Sequence, residues 1–146
     1  MDILKVSTKN LHLAKEAQSH FCTRKAPQGF NSSFFDNADN HMWVALIDDE
    51  VVGMIYGYTL ERFDSPHRQL FLYSIDVDAK HRKKGIGKAL IKHFLTPFCN
   101  GECDEAFVFT NADNQAAMQL YASSGAIRQV SDEGEDVLFE WHANNT

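Results

Sequence analysis

No stretch of the chain approaches the roughly 18–20 continuous apolar residues that cross a bilayer, so no membrane-spanning helix is expected. Cysteine is scarce and odd in number. Cys22, Cys99 and Cys103 show no paired Cys/His metal-ligand spacing, and no metal site or disulfide framework is expected from them. Residues 1–5 lack the layout of a signal peptide, and with reduced thiols this gives a cytoplasmic expectation. Positive charge is in deficit: 14 Lys+Arg against 20 Asp+Glu leave a net charge of −6, which argues against a nucleic-acid binder. There is no internal repeat and no interdomain linker, so all 146 residues are read as one domain. The apolar share of 44% is ordinary for a globular chain able to bury a core without staples.

The few positive charges are unevenly placed. Lys80, Arg82, Lys83, Lys84 and Lys88 fall within nine positions, inside a stretch that reads as apolar strand, basic glycine-containing turn, then helix. A helix N-terminus presents unpaired N–H groups and a partial positive charge, which suits a phosphate. Gly85 and Gly87 remove the Cβ atoms that would hold a ligand's oxygens away from the backbone. The turn is therefore expected to hold a polyanionic cofactor; the competing explanation is a solvated basic helix start. It is not a P-loop, because Arg82 stands where the first Gly belongs and Ala89 follows Gly87-Lys88. Nor is it a dinucleotide fingerprint, because Leu90 occupies the position of the third Gly.

Hydrophobic periodicity and breakers order the rest. A strand is expected over 3–6, then a helix over 9–22 capped by Ser7 or Thr8. Residues 23–40 read as a mobile loop followed by a short helix near 32–38. Residues 42–47 and 51–60 form a hairpin around Asp48 and Asp49, and 69–77 form the central strand. A helix runs over 85–95 until Pro97 stops it, and a strand follows at 105–110. The next helix, capped by Asp113 or Asn114, runs to about 123 and ends at Gly125. Strands at 126–130 and 136–141 flank an acidic turn.

What remains of the glycine turn, Arg82-x-x-Gly85-x-Gly87 after a strand ending in Val77, is similar to the acyl-CoA-binding motif of the GCN5-related N-acetyltransferase (GNAT) family. A second match lies about 30 residues on. Asn114-x-x-Ala117-x-x-Leu120-Tyr121-x-x-x-Gly125 resembles that family's helix, with positions 114, 117 and 121 on one face. The resemblance implies an α/β fold: a twisted, mostly antiparallel sheet of six to seven strands with about four helices on both faces. Its central strand and the strand after the following helix run parallel and splay apart. It implies acetyl-CoA as the co-substrate, with the pyrophosphate on Arg82, Lys83, Lys84, Gly85, Ile86, Gly87 and Lys88. The pantetheine would lie along the backbone of Ile75 and Val77 and against Asn114, and Tyr121 would stand near the thioester sulfur.

At lower specificity, Val51-Val52-Gly53, Phe63-Asp64-Ser65-Pro66, Leu72-Tyr73-Ser74-Ile75-Asp76-Val77 and the turn from His81 to Gly87 together resemble the aminoglycoside 3-N-acetyltransferase branch. One departure is Asn111, where that branch implies an acidic residue after the fifth strand. The function expected is N-acetylation of a small-molecule primary amine, an aminoglycoside being the first candidate, with Tyr121 as general acid. Glu61, Asp64, Asp76 or a water chain remain open as the base. The alternatives are acetylation of a protein N-terminus or lysine, and a non-catalytic acyl-CoA-binding regulatory module. Dimers are common in the resembling family, so a homodimer is an expectation.

Overall fold

The computed structural model describes residues 1–22, 29–129 and 136–143. Residues 23–28 of the expected mobile loop and the acidic turn near the C-terminus fall outside these residues. Strand β1 (Asp2–Lys5) leads to helix α1 (Leu11–Phe21) and a 3₁₀ turn (Ser32–Asp36). Strands β2 (Asn40–Ile47), β3 (Glu50–Leu60) and β4 (Gln69–Val77) follow, then helices α2 (Ile86–Phe94) and α3 (Thr96–Cys99). Strand β5 (Glu105–Asn111), helix α4 (Gln115–Ser123) and strands β6 (Ile127–Arg128) and β7 (Asp136–His142) complete the order.

The seven strands form one sheet in the order β1-β2-β3-β4-β5-β7-β6. Every neighbouring pair is antiparallel except β4 and β5, as expected of the mixed, mostly antiparallel fold. The β4–β5 pairing is short: Gln69↔Glu105, Leu70↔Ala106 and Phe71↔Phe107 are its only registered pairs. Beyond Phe71 the two strands separate and leave a notch. A bulge marks the same place, since Tyr56 pairs with Ser74 and Gly57 with Leu72, leaving Tyr73 as the extra residue.

Each face of the sheet has its own apolar layer. On one, α2 places Ile86, Leu90, Ile91 and Phe94 against Ile55, Leu70 and Leu72, all at most 2% exposed. Fully burying such side chains is worth about 1.5–3 kcal/mol each. On the other, Leu13, Ala14 and Ala17 of α1 pack on Met42, Val44, Leu46 and Met54. Helix α4 joins the α2 face, and Trp141 Nε1 donates to the Ser124 carbonyl at 3.0 Å, tying the end of α4 to β7.

One local expectation is corrected and another holds. Neither Ser7 nor Thr8 caps α1: Asn10 takes the N-cap position, and its Oδ1 accepts from the Ser7 N–H at 2.7 Å, so the side chain closes the preceding turn instead. The α2 helix stops before Pro97, as expected. That helix ends at Phe94, and Pro97 sits in the first turn of α3, where a missing N–H costs nothing. Among the described residues no helix is long and apolar enough to cross a membrane.

Candidate active site

The notch exposes one edge of β4. The Asp78 N–H donates to the Val52 carbonyl at 2.8 Å, so Asp78, and with it Asp76, turns its backbone polar groups toward β3. By alternation Ile75 and Val77 turn theirs toward β5, which has already diverged. The edge is partly claimed: Arg82 Nε lies 3.4 Å from the Val77 carbonyl, leaving the Val77 N–H and both groups of Ile75 for an extended ligand.

At the outer end of this edge the chain turns through Asp78, which accepts from the His81 ring at 3.1 Å and from the Lys80 N–H at 3.4 Å. Lys83 and Gly85 have positive φ, 64° and 81°. Gly85 is the N-cap of α2, and nothing lies within 4 Å of where its Cβ would be, so the turn is open toward solvent. The first backbone bond of α2 runs from the Ala89 N–H to the Gly85 carbonyl at 3.1 Å. The N–H groups of Gly85, Ile86, Gly87 and Lys88 therefore lead into the helix with no carbonyl behind them. Arg82, Lys83, Lys84 and Lys88 are exposed around them. Ile86 contributes only its backbone, because its side chain is 2% exposed in the core.

Gly87 has a second reason to be glycine. A Cβ there would stand 3.1 and 3.2 Å from the two methyls of Leu120, so this residue lets α4 approach α2. That contact sets the height of α4 beside the notch. Asn114 caps α4 by accepting from the Ala117 N–H at 3.1 Å, which commits its carboxamide oxygen and leaves the Nδ2 group free to donate.

Tyr121 is 4% exposed, with its ring 5.7 Å from Phe139 and 6.3 Å from Trp141. No described residue hydrogen-bonds its hydroxyl. Burial and then the Asp76 carboxylate push its pKa up to about 12, so the phenol is held neutral as a donor. The Asp76 carboxyl is itself raised by burial, against the lowering influence of Arg82. Glu61 and Asp64 lie instead on the connection before Gln69, at the end where β4 and β5 are still paired. Asp64 is held by Arg62 through two 3.0 Å bonds, which lower its pKa.

Across the sheet from α2, the bulged strand carries a feature the sequence reading passed over. Tyr56 and Tyr58 of β3, Phe71 and Tyr73 of β4, and Phe107 and Phe109 of β5 form a continuous aromatic surface. Phe71 and Phe107 stack at 4.8 Å, and Tyr73 lies 5.3 Å from Tyr56 and 5.9 Å from Tyr58. Phe34 from the 3₁₀ turn reaches both Tyr56 and Tyr58, at 6.0 and 5.9 Å. Burial and the neighbouring Tyr73 push the Tyr58 phenol up, so it too stays neutral. Tyr73 and Phe109, flanking the notch, are 52% and 55% exposed. The signal was available as an i, i+2 aromatic pair in each of three strands, which puts both rings on one face. Beyond Phe107 on the same face, Glu105, Glu140 and His142 bring their ligand atoms within 4.8 Å of one another.

The signature of the Acetyltransferase (GNAT) family matches residues 10–126. Among curated proteins, N-alpha-acetyltransferase 30 of Xenopus laevis is 32% identical over 111 residues, 76% of this chain and 38% of the relative. The human protein of that name is 29% identical over 143 residues, 98% of this chain and 34% of the relative. The chain thus spans little more than a third of the length of these two. Among solved structures, an aminoglycoside acetyltransferase from an uncultured soil metagenomic sample, in complex with trehalose, superposes with a TM-score of 0.74 at 22% identity, covering 91% of this chain and 93% of the other. NAA60 of Arabidopsis thaliana in complex with acetyl-CoA superposes with a TM-score of 0.71 at 17% identity, covering 99% of each. These two likenesses are of fold.

Proposed function

Because the chain belongs to the acetyltransferase (GNAT) family, we propose that it moves an acetyl group from acetyl-CoA to the primary amine of a small molecule. The observation that carries this reading is the continuity of the open β4 edge, the α2 N-terminus and the Tyr121 hydroxyl around one notch. The residues fit the donor. Four N–H groups and the Arg82, Lys83, Lys84 and Lys88 side chains suit a pyrophosphate. Ile75 and Val77 suit the pantetheine amides as an added strand would, and Asn114 Nδ2 adds a donor from the facing helix. Bound there, the thioester supplies the acetyl group, and this chain's residues do the rest.

Asp76 supports the base role better than Glu61 or Asp64, because it alone interacts with Tyr121. The amine nitrogen bonds to the carbonyl carbon as the C–S bond breaks. The amine's proton passes to the Asp76 carboxylate, the departing thiolate takes the Tyr121 proton, and Tyr121 recovers it from Asp76 through solvent. Backbone N–H groups freed by the β4 bulge serve the oxyanion. Thiol release from acetyl-CoA in the presence of aminoglycosides, polyamines, short amines and short peptides tests the reading. Release without any amine dependence would overturn it.

A second reading, acetylation of a protein N-terminus, is favoured by one observation, the identity with N-alpha-acetyltransferase 30. It requires that short peptides outperform every small amine in the same assay.

A further inference from the structure

A cavity of about 270 Å³ opens between α1, the 3₁₀ turn and the sheet, lined by Phe30, Phe34, Met42, Met54, Tyr56 and Tyr58 among others. No Asp, Glu, Lys, Arg or His lines it among the described residues. Two of its walls, Tyr56 and Tyr58, are also part of the aromatic surface, and both rings sit within 6 Å of Tyr73, the bulged residue at the notch. The cavity therefore begins one ring away from the bulge beside the notch. It is a groove open to solvent on one side, with a volume larger than the roughly 150 Å³ of an enclosed apolar cavity that holds a benzene ring.

We infer that the acceptor is an arylalkylamine, a small molecule whose aromatic body fills this cavity and whose primary amine, on a short alkyl linker, reaches the notch. This rests on the acetyl-transfer reading above and names the substrate class of that site. The chemistry of the walls selects the body. Rings and methionine sulfurs gain contact with a flat apolar group, and no carboxylate among the described lining residues pairs with a charged one. A polycationic amine would bring ammonium groups into a pocket that offers no carboxylate, where each loses water without a partner. The ammonium end meets the opposite setting: the exposed rings of Tyr73 and Phe109 and the Asp76 carboxyl attract a cation before it gives up its proton.

The test uses the full chain with acetyl-CoA, following thiol release with phenethylamine, tryptamine, ethylamine, spermidine, an aminoglycoside and a short peptide beginning with Phe. Phenethylamine and tryptamine should exceed ethylamine, spermidine and the aminoglycoside in kcat/KM by at least about tenfold, the effect of burying one ring-sized group. Equal or better turnover of spermidine or the aminoglycoside overturns this inference while leaving acetyl transfer intact. A Phe peptide that outperforms phenethylamine also overturns it, because the occupant is then a peptide. Thiol release with none of the amines defeats the acetyl-transfer reading itself.

Two variants probe the cavity directly. Gln18→Trp, from a half-buried lining position on α1, should raise KM for phenethylamine about tenfold and shrink its advantage over ethylamine by the same factor. Phe34→Ala should shift preference from phenethylamine toward larger ring systems. Far-UV circular dichroism and acetyl-CoA affinity establish that each variant is folded. Folded variants with unchanged amine preference overturn the assignment.

Discussion

The Asp76 carboxylate, on β4, raises the pKa of the Tyr121 phenol, on α4, after burial has already done most of that work. The two groups come from opposite walls of the notch and from elements that share no hydrogen bond. Both influences hold the phenol in its protonated form, ready to donate.

Tyr121→Phe keeps the ring against Phe139 and Trp141 and removes only the donor. Turnover should fall by about 10²–10³-fold, in the range for one lost proton donor. KM for acetyl-CoA should change little. Steady-state kinetics decide it, and undiminished kcat removes Tyr121 as the acid.

Asp76→Asn gives a pH signature. The carboxyl's pKa is raised, so the acid limb of kcat/KM should lie above the ordinary carboxylate range, and the variant should lose that limb along with most of its activity. The folded state holds this proton more tightly than the unfolded chain does, so ionising Asp76 opposes folding. The variant should therefore be the more stable protein at neutral pH. The difference should vanish as pH falls below the unfolded carboxylate pKa. A pH–rate profile with an unchanged acid limb would assign the base elsewhere.

Gly85→Glu sets a negative side chain at a left-handed N-cap beside the four open N–H groups. Acetyl-CoA affinity by calorimetry should fall at least about 100-fold through repulsion and occlusion. The left-handed backbone alone costs about 1–2 kcal/mol. Gly101→Glu is the matched control, since Gly101 has φ +88° and equally open surroundings away from the notch. It should lose similar stability and no affinity. Unchanged affinity in Gly85→Glu would refute the pyrophosphate assignment.

Gly87→Ala tests helix spacing. In an open helix the change would add about 0.5–1 kcal/mol of stability. Here the new methyl would press on Leu120, so that gain should be absent. In a Leu120→Ala background it should reappear, a non-additivity that chemical denaturation of the four proteins would measure. Additive effects would show that the α2–α4 approach is not limited at this point.

The sequence was most informative where local chemistry and tertiary role coincide. Gln69–Val77 reads as a strand from its composition alone, and the basic turn after it reads as a helix start. Asn114 and Gly125 mark the two ends of α4 by ordinary capping rules. The misses have a common cause, a dependence on neighbours remote in sequence. Asn10 was overlooked because its side chain answers a backbone group three residues earlier. Gly87 read as a phosphate glycine, whereas its missing Cβ is also where Leu120 packs, 33 positions later. The aromatic surface was divided among three strands, each looking like routine apolar burial. Only the register Tyr58↔Phe71 and Phe71↔Phe107 shows that the rings are contiguous.

The sheet order β5-β7-β6 also constrains the timing of assembly. Strand β6 is made before β7 yet touches the sheet only through it, and β5 gains its second neighbour only when β7 arrives. During synthesis, then, the outer wall of the notch lacks its support until residues 136–142 have emerged. A partly made chain has the basic turn and the β4 edge in hand, while α4 still lacks its Trp141–Ser124 tie to β7. On the proposed assignment, the elements that would hold the donor thus precede the strand that braces the helix of Tyr121.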